Sequence, residues 1–232
     1  MALKAQVPAV QKTPKVTVEC VVFSVRNDKL AVLLTKRAAP PFEGSWSLPT
    51  GVVSYNEALE RAAVRVLEQQ TGLSSVRFEQ LGAVGTPGRD PRGHTISIVY
   101  YTFMWAERMR LVPGPEASEV KFQPVERTIA HEKNTGTAAS KRTAIELAFD
   151  HKWLIDVAHE RLASRLREPS GTTRFEFVPS QFTLSQLQRV HELIGGVPIQ
   201  SRSFRAELLA TGAIEPVAAG RGSRNRLYRW KQ

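Results

Sequence analysis

The sequence predicts an α+β chain of two domains. The first is built of strands with flanking helices; the second is a small helix-turn-helix closed by a two-stranded hairpin. Three observations predict this. The first two thirds alternate short β-branched runs with one helix and end in a second, long helix. A Pro- and Gly-containing stretch, Glu168-Pro169-Ser170-Gly171-Thr172-Thr173, then breaks that helix. Beyond it the pattern changes to two short helices followed by two short strands.

The elements follow in order. Residues 16–24 and 29–35 are apolar and β-branched, and Arg26-Asn27-Asp28 lies between them as a turn, so they form a hairpin. Residues 38–51 are rich in Pro and Gly and form a loop with a short extended piece. Residues 56–70 are predicted helical, with Ser54 or Asn56 as cap and Gly72 as stop. Residues 76–85, 95–106 and 120–125 are predicted strands. A helix is expected from about Ala139 to Arg167, with apolar positions including Ile145, Ala148, Phe149, Ile155 and Leu162. The first domain is therefore assigned to 1–167 and the second to 168–232. In the second, 174–178 is a candidate strand. Residues 183–194 form a helix whose Thr183 and Gln186 have capping-box spacing. Leu184, Leu187, Val190 and Ile194 make its apolar face. Residues 203–210 form the next helix, stopped by Gly212. Strands at 214–217 and 227–230 flank a small, basic turn.

Charge is unevenly spread. The 232 residues carry a net +10, with +4 in residues 1–150 and +6 in the shorter remainder. That concentration favours an anionic partner, above all double-stranded DNA. Cys20 is the only cysteine, which excludes an internal disulfide and a cysteine-based zinc cluster. No apolar run approaches the roughly 18 residues that span a bilayer, and residues 1–16 lack an apolar signal core. The expectation is a cytoplasmic protein without a membrane partner.

Gly51 to Leu73 reads GVVSYNEALERAAVRVLEQQTGL. It resembles the Nudix box: Gly, five residues, Glu, seven residues, Arg-Glu-apolar-x-Glu-Glu-x-Gly-apolar. Gly51, Glu57, Arg65, Leu67, Gly72 and Leu73 match in register. The flanks RAAPPFEGSWSLPTG and RDPRGHTISIVYYT are also similar to the family. The resemblance implies an α/β/α sandwich with a mixed sheet, and a helix face whose carboxylates hold magnesium. Here that face carries Val66, Gln69 and Gln70, within about 100° of helical arc. Valine offers no ligand and glutamine only a neutral oxygen, whereas magnesium prefers anionic oxygens. Glu68 points nearly opposite. The expectation is no metal and no hydrolase activity, unless Glu60 or a loop carboxylate takes over. Such a pocket suits ligand sensing. Arg37, Arg89 and Arg92 are candidate contacts to phosphate or ribose, because arginine matches diphosphate geometry; the alternative is a solvated charge. Trp46 or Phe42 is the candidate to stack on a base, with core packing the alternative for Trp46. Glu57 and Arg65 either touch the ligand or pair with each other to hold the loop.

The C-terminal order is that of a winged helix-turn-helix. Ser201, Arg202, Ser203 and Arg205 begin the second helix, the part that reaches base edges in such modules. Arg221, Arg224 and Arg226 lie in the wing turn GRGSRNR, where they suit phosphate contact. A protein-docking module with a basic face is the competing reading of the pattern. The string FTLSQLQRVHELIGGVPIQSRSFRAELLATGAIEP and the preceding AFDHKWLIDVAHERL are similar to the NrtR group of Nudix-related regulators of NAD metabolism. Members of that group often carry Arg-Gly-Arg-Pro in the wing, where this chain has Arg224-Asn225-Arg226. The resemblance implies a homodimeric repressor of NAD synthesis or salvage genes. Its effector would be ADP-ribose, with ATP or NAD as alternatives, and no cofactor would be required. A Nudix hydrolase of ADP-ribose with an accessory basic domain is the alternative.

Overall fold

The computed structural model describes residues 13–74, 76–105, 110–128, 145–166, 177–217 and 226–231. Strands β1 (Lys15–Arg26) and β2 (Lys29–Arg37) form the predicted hairpin. Asn27 and Asp28 both have positive φ, the backbone that matches a two-residue turn to strand twist. The short β3 (Trp46–Ser47) pairs with β2, and β4 (Thr50–Val52) pairs with β1. Helix α1 (Leu59–Thr71) follows, then β5 (Glu79–Val84), β6 (Thr95–Phe103) and β7 (Ala117–Pro124). β1 and β6 are parallel while the other pairings are antiparallel, so the seven-stranded sheet is mixed. A single turn, α2 (Val125–Thr128), leaves the sheet. Next come α3 (His151–Arg165), α4 (Leu184–Gly195), α5 (Ser201–Ala210) and the hairpin β8 (Ile214–Pro216) and β9 (Tyr228–Trp230).

Side chains alternate across a strand, and β1 shows how this builds three layers. Val18, Cys20 and Val22 pack against Ala62, Ala63, Val66 and Leu67 of α1. Val21 and Phe23 face the other way, into a cluster with Leu154, Ile155, Ala158 and Leu162 of α3. That second cluster runs on into Leu184, Leu187, Val190 and Ile194 of α4 and into Tyr228 and Trp230. The core of the C-terminal unit is thus continuous with one face of the sheet. Arg189 of α4 adds a forked ion pair to Asp28 in the β1–β2 turn, with both N···O distances 2.6 Å.

The starts of three helices differ from expectation by two residues or more. α1 begins at Leu59, after an Ala58 cap with no side-chain bond, because Asn56 sits at φ 60 in a preceding turn. α3 begins at His151 rather than near Ala139. Phe149 has φ 56, which no right-handed helix accepts, and the preceding residues bond β3 instead: the Trp46 amide donates to the Glu146 carbonyl and the Ala148 amide to the Trp46 carbonyl. α5 starts two residues early, at Ser201. Thr183 and Gln186 form the expected capping box. Phe177 and Val178 are buried bends, not strand; the rest of that candidate strand, the 167/168 division and the 168–173 linker lie outside the described residues. Among the described residues, no helix is long and apolar enough to cross a membrane.

Candidate functional site

A cavity of about 630 Å³ opens where β1, β4, α1 and the β5–β6 loop converge. Its box side is closed by internal bonds. Gly51 lets β4 approach α1: a Cβ there would lie 2.5 Å from Val66 Cγ2. Gln70 Nε2 donates to the Thr50 carbonyl at 2.6 Å, and the Thr50 amide donates back to Gln70 Oε1 at 3.2 Å. Arg65 donates from Nε and Nη2 to the two oxygens of Glu57, each at 2.6 Å, and to the Val52 carbonyl and Gln69 Oε1. The Arg65 guanidinium, then the Ser54 amide, hold the Glu57 carboxyl down at about 2. The Nudix resemblance implies divalent cations on this face, and the residues present do not fit them. The one carboxylate is neutralised by Arg65, both ends of the Gln70 amide are committed to backbone, and Val66 is an apolar wall.

The opposite wall is an ion network. Arg89 sends five N–H donors to five bonds: two to Asp150, two to Glu19 Oε1 and one to Ser97 Oγ. Thr17 Oγ1 and Ser97 Oγ share a bond of 2.8 Å. Glu19 and Arg89 are buried, and Glu19 Oε2 has no hydrogen-bond partner among the described residues. His151 Nε2 stands 3.7 Å from it. His151 Nδ1 accepts from the Leu48 amide at 2.9 Å, and burial lowers the His151 pKa, so its ring is neutral. Glu19, Asp150 and His151 bring three donor atoms within 4.8 Å of one another, the spacing of a cation site, but Arg89 already supplies the positive charge there.

The third wall is aromatic and basic. The guanidinium carbons of Arg37 and Arg92 lie 5.2 and 5.6 Å from the centre of the Phe149 ring. Phe42 meets that ring edge-on at 4.8 Å, and Arg92 is paired with Asp90. Burial, then the nearby Arg92 charge, lowers the pKa of Arg37. Two like charges held this close favour an incoming anion.

Of the sequence candidates, Arg37, Arg65, Arg89 and Arg92 line this one cavity. Trp46 and Glu57 are not among its lining residues. Trp46 instead packs against the α3-side core with Lys121 Nζ over its ring at 4.7 Å, because β3 fixes it to the outer edge of β2. Sequence reasoning missed Glu19, Phe149 and His151. Only the Asp-His pair ahead of an apolar helix hinted at them.

At the far end of the chain, Ser201, Arg202, Ser203 and Arg205 are all exposed on the first turns of α5, while the buried Leu208 and the half-buried Phe204, 5.2 Å from the His191 ring, anchor that helix. Ser203 donates to Gln200 Oε1, and Arg205 reaches Ser185 Oγ at 3.0 Å. Arg226 is exposed, with its guanidinium 5.9 Å from the Tyr228 ring centre. Arg221 and Arg224 lie outside the described residues.

Residues 14–146 match the NUDIX domain, and residues 174–229 match the NrtR DNA-binding winged helix domain. The ADPR responsive transcriptional repressor NtrR of Acinetobacter baylyi is 29% identical over 206 residues, covering 88% of this chain and 75% of that protein. An ADP-ribose pyrophosphatase of Methanocaldococcus jannaschii is 40% identical over 91 residues, 39% of this chain and 53% of its own length. The crystal structure of Shewanella oneidensis NrtR with a 27mer DNA superimposes with a TM-score of 0.72 at 31% identity, covering 93% of each chain. The NUDIX domain of that NrtR, solved with ADP ribose, covers 67% of this chain and 92% of its own, at 32% identity and a TM-score of 0.55. Both domains, in this order and over nearly the full length, place the chain in the NrtR family, a Nudix domain joined to a winged-helix DNA-binding domain.

Proposed function

We propose that this chain is a repressor of NAD synthesis or salvage genes that binds operator DNA as a homodimer in the cytoplasm and senses ADP-ribose without cleaving it. Residues 1–167 are the sensor and 168–232 the DNA-binding domain. The observation that carries the reading is the Gln70–Thr50 amide pair. Where a hydrolase needs a metal-binding carboxylate, this chain has built a structural side chain, yet the cavity beside it keeps its arginines. Metal-assisted cleavage requires cations to neutralise charge and to activate water, and the one carboxylate of this face, Glu57, is already taken by Arg65.

A diphosphate suits the cavity because Arg37 and Arg92 flank Phe149 on one wall, offering charge beside an aromatic face for a base. On α5, Ser201, Arg202, Ser203 and Arg205 lie where a recognition helix meets base edges, and Arg221, Arg224 and Arg226 supply wing contacts to phosphate. The ligand acts only through its different affinity for the DNA-competent and DNA-incompetent forms.

The test is a mobility shift on the protein's own upstream region, paired with an incubation of ADP-ribose, magnesium and protein. The expected result is an operator complex dissociated by ADP-ribose, with the nucleotide recovered intact. The pyrophosphatase match favours the second reading, a hydrolase. Multiple turnovers abolished by Glu57→Gln would establish it and overturn the first. ATP and NAD serve as competing effectors in the same titration.

A further inference from the structure

The cavity and the DNA-binding unit are joined by one rigid element. Phe149 and His151, the first residue of α3, line the cavity, and Asp150 between them bonds Arg89, which also lines it. The other end of α3 packs into the cluster shared with α4, and His159 Nε2 donates to the Ile194 carbonyl at 2.9 Å, at the end of α4. α4 in turn packs on α5. We infer that ligand occupancy reaches the recognition helix through α3, and that the switch is the Arg89–Asp150 ion pair. This inference rests on the ligand-responsive reading above.

Arginine has five N–H donors, and all five of Arg89 are committed. A ligand oxygen that bonds Arg89 must therefore displace an existing partner. Glu19 on β1 is buried with Arg89, its side chain only 3% exposed, whereas the Asp150 side chain is 26% exposed. Releasing Asp150 leaves its carboxylate in contact with water, whereas releasing Glu19 would strand a buried charge. Asp150 is therefore the partner that yields. Glu19 lines the cavity and its Oε2 has no hydrogen-bond partner among the described residues, so it can accept a ligand hydroxyl while Glu19 Oε1 keeps Arg89 in place.

Asp150 is also the residue immediately before α3, so freeing it frees the start of that helix. The preceding Phe149 holds φ 56, a strained conformation for a non-glycine residue that persists only when its surroundings impose it. The Ala148 amide is tied to the Trp46 carbonyl at 2.8 Å, which anchors the chain on the sheet side of Phe149. Phe149 is thus a hinge between a fixed strand and a helix whose N-terminal restraint is the ligand's competitor.

The test measures ADP-ribose affinity and operator affinity on the full-length chain, each with and without the other ligand. Asp150→Asn removes the charge that holds Arg89 and keeps the shape. Linkage makes the prediction specific: the variant binds ADP-ribose about 3- to 10-fold tighter and operator about 3- to 10-fold weaker, since both sites read one equilibrium. Structural damage would weaken both. Affinities equal to wild type, or falling together, overturn the relay. A wild-type operator complex indifferent to ADP-ribose overturns the functional reading and the relay with it. If Asp150→Asn does not fold, His159→Leu tests the other end of α3. It should bind ADP-ribose as wild type does, while the ligand-induced loss of operator affinity shrinks at least about fivefold. An undiminished loss there overturns the relay.

Discussion

The arginines of the cavity and those of α5 are the same residue put to opposite uses. Arg65, Arg89 and Arg92 each face a carboxylate of their own chain, and Arg89 is almost wholly enclosed. Arg202 and Arg205 stand exposed on a helix held by Leu208 and Phe204, and the partner of Arg205 is a neutral hydroxyl, Ser185. An enclosed arginine with matched acids fixes geometry, and the chain cannot do without it. An exposed arginine contributes little to folding and keeps its charge for a phosphate. Substitution of Arg89 should therefore be read in stability, and substitutions on α5 in DNA affinity.

The largest expected effect breaks the enclosed network around Arg89. Arg89→Ala leaves Glu19 buried without its cation and should cost about 3–5 kcal/mol of folding stability, as removing one partner of a buried pair does. Denaturant titration measures it. A loss within the roughly 1 kcal/mol of a surface ion pair would mean that water reaches Glu19 and that the network does not organise the site. The converse experiment is Arg202→Ala with Arg205→Ala. The melting temperature should stay at the wild-type value while operator affinity falls by about 2–6 kcal/mol, or 1–3 for each base contact. The slope of log affinity against log salt should also flatten by about one for each lost phosphate contact. If affinity and slope both hold, α5 is not the recognition helix.

The same contrast explains what could be read from sequence. The DNA-binding unit is local: a capping box, an apolar face of 3.6 periodicity and glycine stops specify α4 and α5 from neighbouring residues. The box was legible for the same reason, since Gly51, Glu57 and Arg65 keep a fixed spacing. The cavity's other walls were not. Glu19 looks like an ordinary polar residue in an apolar strand, and only pairing of β1 with β6 brings it to Ser97 and Arg89. Phe149 falls in a pattern that continues the helix, with no Pro or Gly to break it. Its φ is imposed by Trp46 and Leu147 bridging across the fold. Trp46 drew attention as the large aromatic beside the box, yet strand pairing turns it towards Lys121.

The smallest effect sharpens the enclosed side by pH. Burial lowers the pKa of His151 below its ordinary value; the charges of Glu19 and Asp150 oppose this, and those of Arg89 and Arg37 reinforce it. The folded chain therefore keeps the ring neutral, while the unfolded chain protonates it near the usual histidine value of about 6.5. Below that value the unfolded state binds more protons, so stability falls as pH drops from about 6.5 towards the folded pKa. Above it the contribution is constant. His151→Gln can still accept the Leu48 amide but does not titrate. Its unfolding free energy should decline less steeply than wild type between about pH 6.5 and 5 and run parallel to it between about 7 and 8. Parallel curves throughout would mean that His151 protonates as readily in the folded chain as in the unfolded one. The acidic wall would then be open to water, and Arg89 would hold Glu19 and Asp150 no more tightly than a surface arginine holds its partner.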